Sequence, residues 1–481
     1  VEPLRQLAAQ GAMIEALASD SRRCAPGVAF LAYPGEKADG RDHIADAIRR
    51  GAAAVFWEES GFAWRHEWRV PNIAVRNLKQ HAGDLAHEFY GRPSDQLWVC
   101  GVTGTNGKTS CSQWVAAALG LRGTKAAVIG TLGAGFPGAL DEGLNTTPDA
   151  LEIHRLMKRF LVDGAGAVAM EVSSHGLVQG RVHGVAFDCA LFTNLSHDHL
   201  DYHGSMEAYA EAKTMLFDTP GLAAAVLNLD DVLGVRLARR LEERGQRVIG
   251  YSLSGVRNGA QFIAAVRTAP GEMELDSSWG GAAARVNQLG RFNLANALGV
   301  AGCLVAHGVP FTEAVALLEK LPPVPGRMQQ VGDRPLVVID YAHTPDALEK
   351  VLQALRPVAE QRRGRLIAVF GAGGDRDAAK RPVMGAVASR LADRVVVTSD
   401  NPRSEDPGKI IDAILAGIAG NCEIQADRGE AIEAAIDRAE EADVVLIAGK
   451  GHENCQEIAG RRLPFSDAAV ARAALERSRR A

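Results

Sequence analysis

LWVCGVTGTNGKTSCSQWVAAALG (97–120) is the stretch on which the fold turns. LWVCGVT reads as a buried strand and CSQWVAAALG (111–120) as a helix, with two glycines and a lysine between them. A strand, a glycine-rich turn and a helix N-terminus place backbone N–H groups and a favourable dipole where phosphate oxygens can sit. Gly104, Thr105, Asn106, Gly107, Lys108, Thr109 and Ser110 are the candidate ligands. The glycines allow the backbone to curl, Lys108 reaches β/γ-phosphates, and the Thr109 hydroxyl suits Mg²⁺. Val102 stands where the usual phosphate-loop pattern has its first glycine. A glycine-rich turn with an incidental lysine is the plainer alternative, but the strand–loop–helix order favours ATP.

Outward from this loop the chain alternates strand and helix. On the N-terminal side, residues 27–34 and 52–59 read as strands flanking a helix at 43–51; a strand at 72–77 and a helix at 78–91 follow, and RPSDQ (92–96) reads as a linker. On the C-terminal side, apolar runs at 125–132, 167–174, 189–196 and 223–231 alternate with helical stretches, predicting a mainly parallel sheet covered on both faces. Residues 250–290 break into short pieces and predict an antiparallel insert or edge. LPPVPGRMQ (321–329) marks a second boundary. Strands at 335–342, 365–374, 393–401 and 442–451 then make a last α/β unit, each ending in polar or glycine residues, where ligands bind in open sheets. The prediction is an α/β protein of three domains: 1–91, 92–325 and 326–481.

Composition agrees with an enzyme of this class. A chain of 481 residues exceeds what one core organises. With 53 Lys and Arg against 58 Asp and Glu, the charge of -5 gives no support to a nucleic-acid partner. No apolar stretch is long enough to span a membrane, and VEPLRQLAAQGAMIEAL (1–17) does not read as a secretory signal. The seven scattered cysteines contain no CxxC, which disfavours a disulfide scaffold or structural zinc and fits a reducing compartment such as the cytoplasm.

Three more segments carry chemistry. Glu171 opens EVSSHGL (171–177), at the end of an apolar strand, and a carboxylate beside a phosphate loop is how Mg²⁺ is held. His199, in FTNLSHDHLDYHG (192–204), could bind a second cation; with His175, His197 and His203 it also raises zinc as an alternative. Lys213 lies in AYAEAKTML, and spacing alone makes it a lysine on a solvated helix face.

GTNGKTS (104–110), NTTP (145–148), EVSSHGLVQGRV (171–182), NLSHDHLDYHG (194–204), YAEAK (209–213), DYAHTPD (340–346), GAGGDRD (371–377), TSDNPR (398–403) and AGKGHE (448–453) together resemble the ATP-dependent Mur ligases of peptidoglycan synthesis, in particular the branch that adds diaminopimelate. The match runs nearly the whole chain in the right order. It implies an N-terminal domain for the UDP-substrate, a central ATPase domain and a Rossmann-like C-terminal domain for the amino acid. It also implies that Lys213 is carbamylated, turning a cation into an oxygen ligand; Thr109 and Glu171 then serve one Mg²⁺, His199 and the carbamate a second.

The same resemblance gives UDP-N-acetylmuramoyl-L-alanyl-D-glutamate to Ser21, Glu36, Lys37, Ala38, Asn145, Thr146, Thr147, Ser173, Gln179 and Arg181. Arg181 suits the D-glutamate carboxylate. Asn293, Asn296, Arg327 and Asp340 fall to the nucleotide. Arg376, Asp400, Asn401, Pro402, Arg403, Gly449 and Glu453 fall to meso-2,6-diaminopimelate, with Arg403 on its distal carboxylate. Ala372 and the pair Asn454–Cys455 depart from the pattern without touching an assigned role.

The implied reaction is amide formation through an acyl phosphate, by a monomer acting on three small molecules; no residue stands out as general base. Folylpolyglutamate synthetase is a rival with the same loop, but would not need the roughly 100 residues before it. A sister ligase adding a dipeptide has no reason to carry DNPR. A nucleotide-switch protein has no use for the conjunction of EVSSH, Lys213 and DNPR.

Overall fold

The computed structural model describes residues 2–36, 38–143, 145–259, 261–269 and 271–478. Among these residues the strands form four sheets. β1 (Ala16–Ala18), β2 (Val28–Ala32), β3 (Ala54–Glu58) and β4 (Asn72–Val75) make a small parallel sheet in that order. The helix Leu78–Phe89 covers it with Leu78, Ala82, Leu85 and Ala86, the spacing of one helix face. This helix also touches the next domain backbone to backbone: a Cβ on Gly83 would meet the His183 carbonyl carbon at 2.6 Å, so only glycine permits the approach.

The central sheet holds β5 (Trp98–Thr103), β6 (Ala126–Gly130), β7 (Gly133–Phe136), β8 (Ala139–Asp141), β9 (Ala167–Glu171), β10 (Cys189–Phe192), β11 (Ala224–Asn228), β12 (Arg247–Ser252), β13 (Gln261–Ala269), β14 (Glu272–Ser277) and β15 (Ala282–Arg285). Their order is β15-β14-β13-β12-β11-β10-β5-β9-β6-β7-β8. The seven strands from β13 to β6 run parallel; β14 and β15 at one edge and β7 and β8 at the other are antiparallel. Central strands such as β9 and β11 are buried along their whole length, as a sheet covered on both faces requires. The expected insert at 250–290 is thus an extension of the main sheet. The helices Lys108–Leu121 and Arg291–Ala306 fill one face, Ala150–Val162 and Val232–Glu243 the other.

β16 (Gln329–Asp333), β17 (Leu336–Asp340), β18 (Leu366–Phe370), β19 (Arg394–Val397), β20 (Glu423–Ile424) and β21 (Val444–Ala448) form the third sheet, ordered β16-β17-β21-β18-β19-β20 and parallel except at β16. β22 (Cys455–Ile458) and β23 (Arg461–Pro464) form a separate hairpin. No helix among the described residues is long and apolar enough to cross a membrane.

Two expectations need correction. RPSDQ is not a free linker: Pro93–Gln96 forms a 3₁₀ turn, and the buried Ser94 Oγ accepts from Ala186 N–H (3.0 Å). The scattered cysteines are not all isolated either. The Sγ atoms of Cys100, Cys189 and Cys303 lie within 4.8 Å of one another. All three are wholly buried in an apolar core, and the Cys100 thiol donates to Cys303 Sγ (3.8 Å). They pack as small apolar side chains.

The C-terminal sheet is pinned by a buried ion pair. Arg428 Nε and Nη2 donate to Asp467 Oδ1 and Oδ2 (both 2.7 Å), and the same guanidinium donates to Ser399 O and Ala448 O, just beyond β19 and at the end of β21. Removing the carboxylate alone strands a cation in the core. Asp467→Ala should therefore lower the unfolding free energy by about 3–5 kcal/mol, read by urea denaturation.

Candidate functional site

The phosphate loop leaves β5 and enters the helix Lys108–Leu121 through Gly107, whose φ of +88° suits glycine. A Cβ there would stand 2.5 Å from Asn296 Oδ1, and one on Gly104 would fall on the Thr193 hydroxyl. Asn296 and Asn293, both buried, brace the loop from the helix behind it; Asn296 Nδ2 donates to Asn293 Oδ1 (3.3 Å). Asn106 and Thr105 are clasped by the segment after β10, through Asn194, Thr193 and Ser196. The Lys108 ammonium donates to Gly104 O (2.8 Å) and Thr105 O (2.9 Å), and burial pulls its pKa below the ordinary lysine value. Ser110 is buried in the first turn of the same helix.

Glu171, at the end of the neighbouring β9, is the hub. Thr109 Oγ1 donates to its Oε2 (3.0 Å), Thr131 N–H to Oε1 (2.8 Å) and Thr131 Oγ1 to Oε2 (3.0 Å). Arg327 Nη2, from the start of the C-terminal region, donates to Thr109 Oγ1 (3.2 Å). The network continues to the NTT segment: Thr131 and Thr146 hydroxyls lie 3.0 Å apart, and Thr147 Oγ1 donates to the Glu171 carbonyl (2.9 Å) while Ser173 N–H donates back to it (3.0 Å). Asn145 adjoins this turn. Arg181 Nη1 donates to Thr147 O (2.7 Å) and its Nε to Gln179 Oε1 (2.8 Å). Gln179 Nε2 and Tyr202 OH donate to Glu36, reaching across from the N-terminal domain. Ala38 flanks that same turn, and Lys37 lies outside the described residues. Ser21 is apart from this chain, its Oγ donating to Asp46 Oδ2 (3.0 Å).

Lys213 overturns the solvated-face reading. It is 1% exposed, its Nζ donates to Gly104 O (2.9 Å) and sits 4.3 Å from the centre of the Tyr209 ring. Burial, reinforced by the Lys108 charge, drives its pKa well down, so the neutral amine is accessible. His199 flanks the same ring, centroids 6.1 Å apart, and burial lowers its pKa below the usual histidine value. Tyr209, which spacing gave no role, therefore joins the two, and its hydroxyl lies 3.2 Å from Thr105 Oγ1. The zinc alternative finds no support in the geometry. His175 meets His199 and His203 edge to face, and among the described residues the one group of three or more His, Cys, Asp or Glu side chains with ligand atoms within 4.8 Å of one another is the three core cysteines.

DNPR follows β19. Arg403 adopts φ +55°, held by the hairpin: its N–H donates to Glu457 O (3.0 Å) and its carbonyl accepts from Ala459 N–H (2.7 Å). Its Nη1 donates to Gly374 O (2.7 Å), its Nε lies 3.4 Å from Glu457 Oε2, and Pro402 packs behind Gly374. Arg376 is exposed across Gly373 from Arg403. Asn401 and Glu453 are joined by Lys450, whose fully buried ammonium donates to Asn401 Oδ1 (2.9 Å) and Glu453 Oε2 (2.8 Å). Asp400 sits against Gly449, which takes φ +118°. Asp340 accepts from Met328 and Ala342 N–H groups (both 2.8 Å), fixing the turn beside Arg327.

These strand ends enclose a cleft of about 580 Å³ lined by Thr131, Leu132, Leu140 and Glu142 from the central domain and by Asn401, Arg403, His452, Glu453 and Glu457 from the C-terminal one. Its wall is continuous with the Glu171 network through Thr131. The site therefore sets a phosphate loop with an oxygen-rich carboxylate beside a pocket lined by charged side chains of both signs.

Comparison with known proteins agrees with this layout. Residues 102–304 match the Mur ligase middle domain, 326–451 the Mur ligase glutamate ligase domain, and 13–90 a segment described as Mur ligase family, catalytic domain. The UDP-N-acetylmuramoyl-L-alanyl-D-glutamate–2,6-diaminopimelate ligase of Chromobacterium violaceum is 51% identical over 470 residues, covering 97% of this chain and 95% of that protein. Its counterpart from Janthinobacterium sp. is 51% identical over 476 residues, covering 95% and 94%. A solved structure of a ligase of the same name is 36% identical, with a TM-score of 0.69 and coverage of 97% and 95%.

Gly107→Ala tests the loop geometry. The methyl must displace Asn296 and take a left-handed backbone, so nucleotide affinity should fall by about tenfold or more in calorimetry, while Gly120→Ala, with open space around it, should leave it unchanged.

Proposed function

The chain belongs to the Mur ligase family, and from that membership we propose that it joins 2,6-diaminopimelate to UDP-N-acetylmuramoyl-L-alanyl-D-glutamate with cleavage of ATP. One observation carries the amino-acid assignment: Arg403 lines a cleft that opens onto the Glu171 network. A guanidinium there matches a distal carboxylate, which diaminopimelate has and lysine lacks.

The reaction needs a better leaving group than oxide. The free carboxylate of the D-glutamyl residue takes the γ-phosphoryl of ATP, releasing ADP. The amine of diaminopimelate attacks the acyl phosphate, and phosphate leaves from the tetrahedral intermediate. Gly104–Ser110 cradle the phosphates, and Lys108 is within a side-chain swing of the group in flight. Asn293 and Asn296 support the nucleotide side, with Arg327 and Asp340 closing it from the C-terminal domain. Arg181 meets the D-glutamyl carboxylate, while Ser21, the Glu36–Ala38 turn, Asn145, Thr146, Thr147, Ser173 and Gln179 hold the rest of the UDP-substrate. Arg376, Asp400–Arg403, Gly449 and Glu453 hold diaminopimelate. The domains 1–91, 92–325 and 326–481 thus each contribute a main set of residues, with the UDP-substrate shared between the first two and the nucleotide closed over by the third.

The donor set at Thr109 and Glu171 is hard oxygen, 3.0 Å apart, and fits Mg²⁺. Bound there, Mg²⁺ supplies charge neutralisation for phosphoryl transfer. A second ion requires Lys213 as a carbamate, with His199 as its companion. The neutral Lys213 amine adds to CO₂, losing one proton, and the product is an anionic oxygen donor. Its depressed pKa supports this, because an ammonium has no lone pair to offer. Seven free cysteines fit a reducing cytoplasm, and the enzyme acts as a monomer.

Two measurements test the proposal. Arg403→Lys loses the planar fork, so kcat/KM for diaminopimelate should fall roughly tenfold to a hundredfold with the KM for ATP unchanged; equal turnover of lysine and diaminopimelate by the unaltered enzyme would overturn the substrate assignment. Lys213→Ala should lower kcat by about a hundredfold or more with circular dichroism unchanged, and a short carboxylic acid at high concentration should restore part of it. An alanine variant as fast as the original would remove the carbamate.

A further inference from the structure

Asp346 ends the DYAHTPD segment, and the reaction as described gives it no task. It lies in the first turn of the helix Pro345–Arg362, where Thr344 caps the N-terminus and an acidic side chain is favoured. Its Oδ2 accepts three hydrogen bonds. One comes from Lys350 Nζ (2.7 Å) on its own helix. The other two cross to the central domain, from Ser196 Oγ (2.8 Å) and from Asn106 Nδ2 of the phosphate loop (3.3 Å), 150 and 240 residues away in sequence.

Both partners are bound to the nucleotide loop in turn. Ser196 N–H donates to Thr105 Oγ1 (2.9 Å), and Thr105 Oγ1 donates to Ser196 O (3.2 Å). The Asn106 carbonyl accepts from Thr193 Oγ1 (2.6 Å) and Asn194 Nδ2 (3.1 Å). One carboxylate oxygen of the C-terminal domain therefore touches the loop directly and the strap that shapes it. Arg327 to Thr109 and Asn454 to Glu142 are further side-chain bridges between these domains. Asp346 and Lys350 are about a third and two-fifths exposed, so neither is needed to fill a core.

We propose that Asp346 is a positioning residue: it seats the C-terminal domain on the ordered phosphate loop, so that the amine is brought to the acyl phosphate only when the nucleotide site is properly formed. The inference rests on the ligase reading for its reaction, though not on which amino acid is used. A carboxylate suits the task because it accepts from two domains at once, and Lys350 answers its charge whether or not the domains are docked. The seat is small and polar, so it can form and break within each turnover, unlike an apolar interface.

The test compares Asp346→Ala, Asp346→Asn, Ser196→Ala and the Asp346→Ala/Ser196→Ala pair, with Lys350→Ala as control. Turnover is measured with whichever amino acid the unaltered enzyme uses fastest, so a wrong diaminopimelate assignment shows in the wild-type profile and leaves this comparison intact. Asp346→Ala should lower kcat by about tenfold to a hundredfold, the effect of misplacing reactants, with the KM for the UDP-substrate unchanged. Adding Ser196→Ala should cost nothing further, because the contact is already gone. Asp346→Asn, which keeps the acceptor oxygen, should fall between. Lys350→Ala should change kcat by less than about threefold. Wild-type kcat in Asp346→Ala, effects of the two substitutions that multiply, or a loss of kcat that tracks a lowered Tm in both Asp346 variants, would overturn the proposal.

Discussion

A carboxylate shut away from water must be answered by donors, and Glu171 takes its donors from two different strand ends. Thr109 comes from the phosphate loop after β5, and Thr131 from the turn after β6; the Glu171 carbonyl meanwhile holds Thr147 of the NTT segment. β9 lies between β5 and β6 in the sheet, so the three meet only because the parallel order brings their carboxyl ends to one edge. Any shift in that order would strand a buried charge. On the proposed function, the nucleotide side, the sugar-peptide side and the entrance to the amine cleft are thus built around one side chain.

The C-terminal half answers the complementary problem of a buried cation. Lys450 has no exposed surface, and Asn401 and Glu453 converge on its ammonium. On the proposed function, that neutralisation bears on selectivity. With Glu453 partly committed to Lys450, Arg403 faces the cleft with Nη1 on Gly374 O (2.7 Å) and the Glu457 carboxylate 3.4 Å from its Nε. An incoming carboxylate therefore meets a cation whose competing partner is loosely engaged. The left-handed backbone of Arg403 is held by main-chain bonds to the hairpin β22–β23, so its direction does not depend on the ligand.

How far the sequence reveals this depends on the length scale of the cause. β5, β6, β9, β10 and β11 of the central sheet and β17, β18, β19 and β21 of the C-terminal one were legible because each is a continuous apolar run bounded by glycine or polar residues, and the phosphate loop because its chemistry is local. β1, of three residues, and the glycine-rich hairpin β7–β8 were not, since neither is long enough to display a period. Lys213 shows the limit for sites. Its helix has alanines and a glutamate around it, so nothing local distinguishes a buried face from a wet one; only the approach of Gly104 and Tyr209 buries it. Family likeness supplied what periodicity could not. Thr131 and Lys450 stayed without a role because each acts by satisfying another residue's charge, and that is a property of three-dimensional neighbourhood alone.

The side-chain bridges near the site share a character that bears on how the enzyme works. Glu36 with Gln179 and Tyr202, Arg327 with Thr109, Asp346 with Ser196 and Asn106, and Asn454 with Glu142 are contacts of one or two hydrogen bonds each, several of them exposed to solvent. Exposed pairs of this kind are worth about 0–1 kcal/mol each. Interfaces held mainly by such contacts leave relative domain motion as the expectation. For the three substrates of the proposed function, which must enter separately and then meet with water excluded, a weak seam is an advantage: the C-terminal domain can load with the other two apart. The exception is the seam between the first and second domains, where Gly83 and Gly184 bring backbones into contact and leave no room for a side chain. Closure is therefore expected chiefly at the C-terminal seam, and on the proposed function it brings the amine to a site already assembled around Glu171.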